Sequence, residues 1–124
     1  MEKKTATILV VDDEQLVRFM LKEFLEEMGF HVITAENGKE ALTVLSMVLV
    51  DCILLDLNMP VMGGAQLVRE MRTKGLLVPV VVVSGVCILE EDVDREVCAV
   101  LKKPFSFKNL LTVLSECLTD SRTP

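Results

Sequence analysis

Short apolar runs alternate along this chain with longer segments in which apolar residues recur every three or four positions. Runs rich in Val and Ile predict buried parallel strands, and the longer spacing predicts amphipathic helices. The predicted strands are Thr7–Val11, His31–Ala35, Cys52–Leu55, Val80–Val83 and Ala99–Lys102. The predicted helices are Gln15–Met28, a segment starting at Asn37-Gly38, Ala65–Thr73, a poorly patterned stretch at 86–97, and a last helix capped by Ser106.

The alternation of strand and helix predicts the fold class. Parallel strands joined by right-handed crossovers place helices on both faces of a sheet. Five such strands predict an α/β, flavodoxin-like three-layer fold with strand order 2-1-3-4-5. We expect a single domain over residues 1–124, with a core at about 6–118 and a polar tail or linker at 119–124.

Composition narrows the class of protein. Hydrophobic residues make up 51% of the chain, which argues against disorder, and the apolar stretches are too short to span a bilayer. The net charge of −6 and the lack of Trp and Tyr disfavour direct nucleic-acid binding. Lys3 and Lys4 precede Thr5 rather than an apolar segment, so we see no secretion signal and expect a cytoplasmic protein with no membrane partner.

The four cysteines, Cys52, Cys87, Cys98 and Cys117, form no CxxC pair. Without that spacing, neither a zinc site nor a disulfide framework is indicated. We therefore predict reduced thiols that serve as small apolar residues in a cytosolic protein.

Polar residues close four of the apolar runs, at the strand ends where function gathers in an open parallel sheet. Asp12 and Asp13 follow the first strand, Asp56 the third, Ser84 the fourth and Lys103 the fifth. Because the carboxyl ends of parallel strands share one edge of the sheet, we expect these residues to converge. Taken singly, each has an ordinary explanation as a helix start, a cap or a surface residue.

Taken together, these residue types favour phosphoryl chemistry. Three carboxylates would repel one another without a cation, and Mg²⁺ prefers carboxylate, water and phosphate oxygens. A carboxylate such as Asp56 can attack phosphorus to form an acyl phosphate. Lys103 supplies a charge for phosphate oxygens, and Ser84 supplies a hydroxyl donor. Pro104 allows a cis bond that fixes the orientation of Lys103.

In this order the motifs closely resemble the response-regulator receiver domain of bacterial two-component signalling. The resemblance covers about residues 6 to 118. The matching segments are Ile8-Leu9-Val10-Val11-Asp12-Asp13-Glu14, Leu54-Leu55-Asp56-Leu57-Asn58-Met59-Pro60, Val82-Val83-Ser84 and Lys102-Lys103-Pro104-Phe105.

The resemblance implies the phosphoacceptor domain of a phosphorelay. Asp56 would take a phosphoryl group from a sensor histidine kinase or a phosphotransfer protein, and Ser84 and Lys103 would bind its oxygens. The implied Mg²⁺ ligands are Asp12, Asp13, Asp56 and the backbone carbonyl of Asn58. The implied output is a changed surface that meets an output domain or a homodimer partner. No enzyme activity is implied beyond the domain's own phosphoryl transfer and slow autodephosphorylation.

Three departures from the family concern the output side. Val100 stands where the family usually carries an aromatic switch residue. The segment before Lys103 is shorter than usual and lacks the common Gly-Ala, so we expect a short, shifted or irregular fourth helix. Gly63-Gly64 replaces the common Asp-Gly, and Gly85 replaces the usual Ala, and both changes are expected to add backbone freedom.

The sequence also leaves other functions open. A degenerate receiver used as a phosphorylation-independent binding module would explain the altered switch region, although the retained acids and lysine argue against it. A dehalogenase-type phosphatase would carry an acid two residues after its nucleophile, where Asn58 stands. A flavin-binding protein would carry a hydroxyl-rich phosphate loop, where Asp12-Asp13-Glu14 stands instead.

Overall fold

A parallel sheet of five strands lies between two layers of helices in the computed structural model, which describes residues 5–57, 59, 62–85 and 89–122. The strand order is β2-β1-β3-β4-β5, and every neighbouring pair is parallel. The predicted α/β flavodoxin-like fold and its strand order are therefore confirmed. The strands are β1 (Thr7–Val11), β2 (His31–Ala35), β3 (Cys52–Asp56), β4 (Val80–Ser84) and β5 (Ala99–Lys102). The helices are α1 (Gln15–Glu27), α2 (Gly38–Met47), α3 (Gly64–Thr73), α4 (Glu91–Asp94) and α5 (Phe107–Arg122).

The hydrophobic core forms two clusters, one on each face of the sheet. Successive residues of a strand point to opposite faces, so Val81 and Val83 of β4 join one cluster while Val80 and Val82 join the other. Helices α1 and α5 cover the first face, and α2, α3 and α4 cover the second. The central strands are buried on both sides, which is why their sequences are almost wholly apolar.

The helix ends follow the local sequence signals. Asn37 caps α2, since its side chain accepts a hydrogen bond from the Glu40 N–H at 2.8 Å. Ser106 caps α5 in the same way, accepting from Asn109 N–H at 3.0 Å. Helix α5 extends through residues 119–122, which the sequence pattern assigned to a polar tail. Within the described ranges, no helix is long and apolar enough to cross a membrane.

Helix α4 is one short turn, as the departures from the family predicted. Two arginines of α3 pair with acids on α4 and just after it. Arg69 Nε lies 2.8 Å from Asp92 Oδ2, and Arg72 Nε lies 2.8 Å from Glu96 Oε2. The hydrogen bond from Arg69 lowers the pKa of the Asp92 carboxyl. Only Val93 of α4 is buried, so these salt bridges supplement a small hydrophobic contact.

The expectation of reduced cysteines is wrong for one pair. Cys98, just before β5, forms a disulfide with Cys117 of α5, with the Cα atoms 6.1 Å apart. Cys52 is free and buried in β3, as predicted for a small apolar residue. Cys87 lies outside the described residues. Spacing along the chain did not reveal the pair, because the crossing of α5 over the sheet brings the two residues together.

Candidate functional site

The site lies at the carboxyl edge of the sheet, where β1, β3, β4 and β5 end. Asp12, Asp13 and Asp56 each offer a carboxylate oxygen, and these oxygens all lie within 4.8 Å of one another. Lys103 Nζ lies 4.0 Å from Asp56 Oδ1. The backbone N–H of Lys103 donates to the carbonyl of Ser84 at 2.8 Å, which ties the ends of β4 and β5 together.

These positions agree with where the sequence placed the site. The three acids and Lys103 converge, and Ser84 lies at the same edge, 1% exposed as the last residue of β4. The bond between Lys103 and Pro104 is cis, the arrangement that Pro104 was predicted to allow. Asn58, predicted to contribute its carbonyl, lies outside the described residues.

Burial differs among the three acids. Asp12 is 4% exposed and Asp56 is 7% exposed, whereas Asp13 is exposed. Burial raises the pKa of the Asp12 carboxyl, and the nearby charge of Asp56 raises it further. A hydrogen bond from the Glu14 N–H and the charge of Lys103 act in the opposite direction. The raised pKa therefore comes mainly from the burial of Asp12, with the charge of Asp56 as a smaller contribution.

The loop between β1 and α1 holds Asp12 through three different groups. Its N–H donates to the carbonyl of Ala35 at 3.1 Å, and its Oδ1 accepts from Glu14 N–H at 2.9 Å. Its carbonyl accepts from Arg18 Nη1 at 2.7 Å. Arg18 was not among the site residues that the sequence motifs predicted. The signal was a basic residue one helical turn after Glu14, on the helix that directly follows the two acids.

Close packing at the end of β3 explains why position 64 is a glycine. A Cβ on Gly64 would lie 2.9 Å from the Cα of Leu57 and 3.0 Å from the carbonyl oxygen of Asp56. Only glycine lets α3 begin this close to the end of β3. Gly64 therefore serves close approach to the backbone at Asp56.

An apolar groove of about 600 Å³ adjoins the acidic cluster, between α1 and the loop that leads from β5 into α5. Met20 and Val17 line one wall, and Phe105 and Phe107 line the other. The rings of Phe24 and Phe107 stack with their centroids 4.1 Å apart, which joins the two walls at one place. Lys103 lines this groove and also the small cavity beside Asp12 and Asp56, called here the phosphoryl pocket, so the groove and the pocket are adjacent.

The donor set fits a hard divalent cation. Three carboxylates and one ammonium leave an excess of two negative charges when all are ionised, and every candidate ligand atom is an oxygen. Mg²⁺ binds through one or two carboxylates and retains waters and phosphate oxygens. The exposed side of Asp13 leaves room for such additional ligands.

The family follows from comparison with known proteins. The sequence model of the family described as the response regulator receiver domain matches residues 8–115. The chain belongs to this family, the receiver domains of two-component signalling.

Individual relatives agree with the family assignment. The sensor histidine kinase RcsC of Escherichia coli is 37% identical over 121 residues, which are 93% of this chain and 13% of the kinase. The regulatory protein AtoC of Escherichia coli strain K12 is 32% identical, over 90% of this chain and 25% of that protein. This chain therefore spans a small part of both curated relatives.

A solved structure agrees with the family assignment over nearly the whole chain. The response regulator TrrA of Thermotoga maritima, in complex with Mg²⁺ and BeF, superimposes with a TM-score of 0.83 at 32% identity. The match covers 91% of this chain and 99% of TrrA.

Proposed function

We propose that this chain is a cytoplasmic phosphorelay receiver in which Asp56 accepts a phosphoryl group from a phosphohistidine. The observation that carries the proposal is the convergence of three carboxylates and one lysine at the ends of separate strands. A family fold alone would not require this set. The response regulator TrrA, a structural neighbour of this chain, was solved in complex with Mg²⁺ and BeF, which supports Mg²⁺-dependent phosphoryl chemistry.

In the proposed reaction, a carboxylate oxygen of Asp56 attacks the phosphorus of the donor phosphohistidine. A P–O bond forms, the P–N bond breaks, and the imidazole leaves with its electron pair and takes a proton. Lys103, 4.0 Å from Asp56, balances the charge of the phosphoryl oxygens. The hydroxyl of Ser84 donates a hydrogen bond to one of those oxygens.

The proposed cofactor is Mg²⁺, which would stabilise the negative charge that develops on the transferring phosphoryl oxygens. Asp12, Asp13, Asp56 and the carbonyl of Asn58 are the residues that would hold it. The raised pKa of Asp12 supports this assignment, because a cation would relieve the repulsion that contributes to the shift.

Incubation with phosphoramidate and Mg²⁺, followed by intact-mass measurement, tests the proposal. We expect the protein to gain one phosphate, and we expect no gain when EDTA removes the metal. Phosphoramidate is small enough to reach Asp56 without a docking surface. A protein that stays unmodified in saturating phosphoramidate and Mg²⁺ would support the rival function, a binding module independent of phosphorylation.

The apolar groove is the proposed docking site for the protein that donates the phosphoryl group, a sensor kinase or a phosphotransfer protein. Leu16 and Phe19 of α1 are 68% and 58% exposed, and they lie on the same helix as the groove-lining Met20, so they extend the apolar surface beside the groove. A donor segment seated here would bring its histidine to the pocket, because Lys103 borders both. The other partner classes, an output domain or a second copy, would read the changed surface after transfer.

Met20→Glu is expected to slow transfer from a histidine-phosphorylated donor domain by about tenfold, because it places a charge in an apolar contact. Labelling by phosphoramidate should slow much less. Met47→Glu, at an exposed apolar side chain on α2, is the matched control and should leave both rates close to those of the wild type. Equal rates for the two variants with the protein donor would show that the donor docks elsewhere.

A further inference from the structure

Arg18 reaches from α1 back to the loop that carries the two acids. Its Nη1 donates to the carbonyl of Asp12 at 2.7 Å in a partly buried setting. Its backbone N–H donates to the carbonyl of Glu14 at 3.1 Å, so the residue belongs to the first hydrogen-bonded turn of α1. The guanidinium is thus anchored by the helix and directed at one particular peptide group.

That peptide group joins Asp12 to Asp13. A peptide unit is planar, so fixing the carbonyl of Asp12 also fixes the N–H and Cα of Asp13. The N–H and the carboxylate of Asp12 already have partners in Ala35 and Glu14. The carbonyl is the remaining polar group of Asp12, and Arg18 determines its direction.

We infer that Arg18 is a positioning residue that orients the Asp12–Asp13 peptide so that both carboxylates face the cation site. The inference rests on the proposed function, since it assigns Arg18 a role in the same site. A hydrogen bond from a charged donor is stronger than a neutral one, so the guanidinium holds the peptide firmly. It acts through the backbone and touches neither the phosphoryl group nor the cation.

The chemistry of Mg²⁺ makes such positioning consequential. The ion demands nearly ideal octahedral geometry and tolerates misplaced ligands poorly. Asp13 is exposed and follows a loop, so a restraint on its backbone limits the directions that its carboxylate can take. Residues that orient metal ligands without touching the metal typically change metal affinity by about 10- to 100-fold when they are replaced.

The test compares Arg18→Met with Lys22→Met. Both variants remove one positive charge from α1 and retain an unbranched side chain, but Lys22 pairs with Glu26 on the exposed surface. Mn²⁺ serves as the probe, and its affinity is measured by electron paramagnetic resonance. We expect Arg18→Met to weaken Mn²⁺ binding by about tenfold, Lys22→Met to leave it within twofold, and Arg18→Lys to recover part of the loss.

Thermal unfolding of each variant without metal separates positioning from folding. Arg18→Met should lose metal affinity even at temperatures where it is fully folded. If Arg18→Met and Lys22→Met bind Mn²⁺ equally well, the inference is overturned while the proposed function stands. A wild type that neither binds Mn²⁺ nor gains phosphate from phosphoramidate would overturn both.

Discussion

Asp56→Asn is expected to abolish phosphorylation by phosphoramidate in saturating Mg²⁺. The amide has nearly the same size as the carboxylate but lacks the anionic oxygen that attacks phosphorus. Asp56 closes β3 in the centre of the sheet and lies beside the other acids and Lys103. Intact mass after incubation measures the result directly.

The same variant should also change how stability depends on pH. Burial and the charge of Asp56 raise the pKa of Asp12 in the folded state, so the folded protein retains a proton on Asp12 to higher pH than the unfolded chain does. The contribution of Asp12 to the free energy of unfolding therefore falls as the pH rises from the ordinary pKa of an aspartate toward the raised pKa. This loss persists at neutral pH. Asp56→Asn removes one of the charges that raise the pKa of Asp12. The free energy of unfolding of this variant should therefore fall less over that pH range than that of the wild type.

Asp94→Asn is the matched control for the phosphorylation experiment with Asp56→Asn. It makes the same chemical change at an exposed position on α4, away from the cluster. It should gain one phosphate as the wild type does. Full labelling of Asp56→Asn would show that another residue is the acceptor.

Reduction of the disulfide between Cys98 and Cys117 is expected to destabilise the protein by about 3 kcal/mol, because the link closes a loop of moderate length in the unfolded chain. The two cysteines are 19 positions apart. For a domain of this size, that change corresponds to a fall in Tm of roughly 10 °C. Thermal unfolding with and without a phosphine reductant provides the measurement.

Cys98→Ser separates the disulfide from other effects of the reductant. The variant should unfold near the Tm of the reduced wild type, and the reductant should not lower it further. Alkylation of the unfolded, unreduced wild type should leave Cys98 and Cys117 unmodified. Alkylation of both residues, or a Tm insensitive to reduction, would contradict the prediction.

The strands were predictable because burial on both faces demands continuous apolar runs. An uninterrupted apolar run such as Val80–Val83 is typical of a strand that is buried on both faces. The polar residue that ends each run marks the edge of the sheet. The acids and Lys103 could therefore be brought together from topology alone. The shortness of α4 was predicted but its bounds were not, because only Val93 is buried there and the spacing of apolar residues therefore carries little information.

Other features depend on distances between elements that sequence spacing does not encode. The disulfide requires α5 to cross the sheet so that Cys117 meets Cys98. The need for glycine at position 64 comes from the backbone of Asp56 and Leu57, which only the folded chain brings near. Arg18 binds a backbone carbonyl, and the sequence does not show which carbonyl a side chain will reach in the folded chain.

The direction of the first strand and the last helix has a practical consequence for measurement. Strand β1 begins at the amino edge of the sheet, and α5 runs back toward that edge after leaving β5. The start of β1 and the end of α5 therefore both lie away from the edge that carries Asp56. The chain has no Trp or Tyr to report binding by its own fluorescence. A dye or a surface tether attached beyond either element would supply that signal from the far side of the molecule and leave the phosphoryl pocket open to donors.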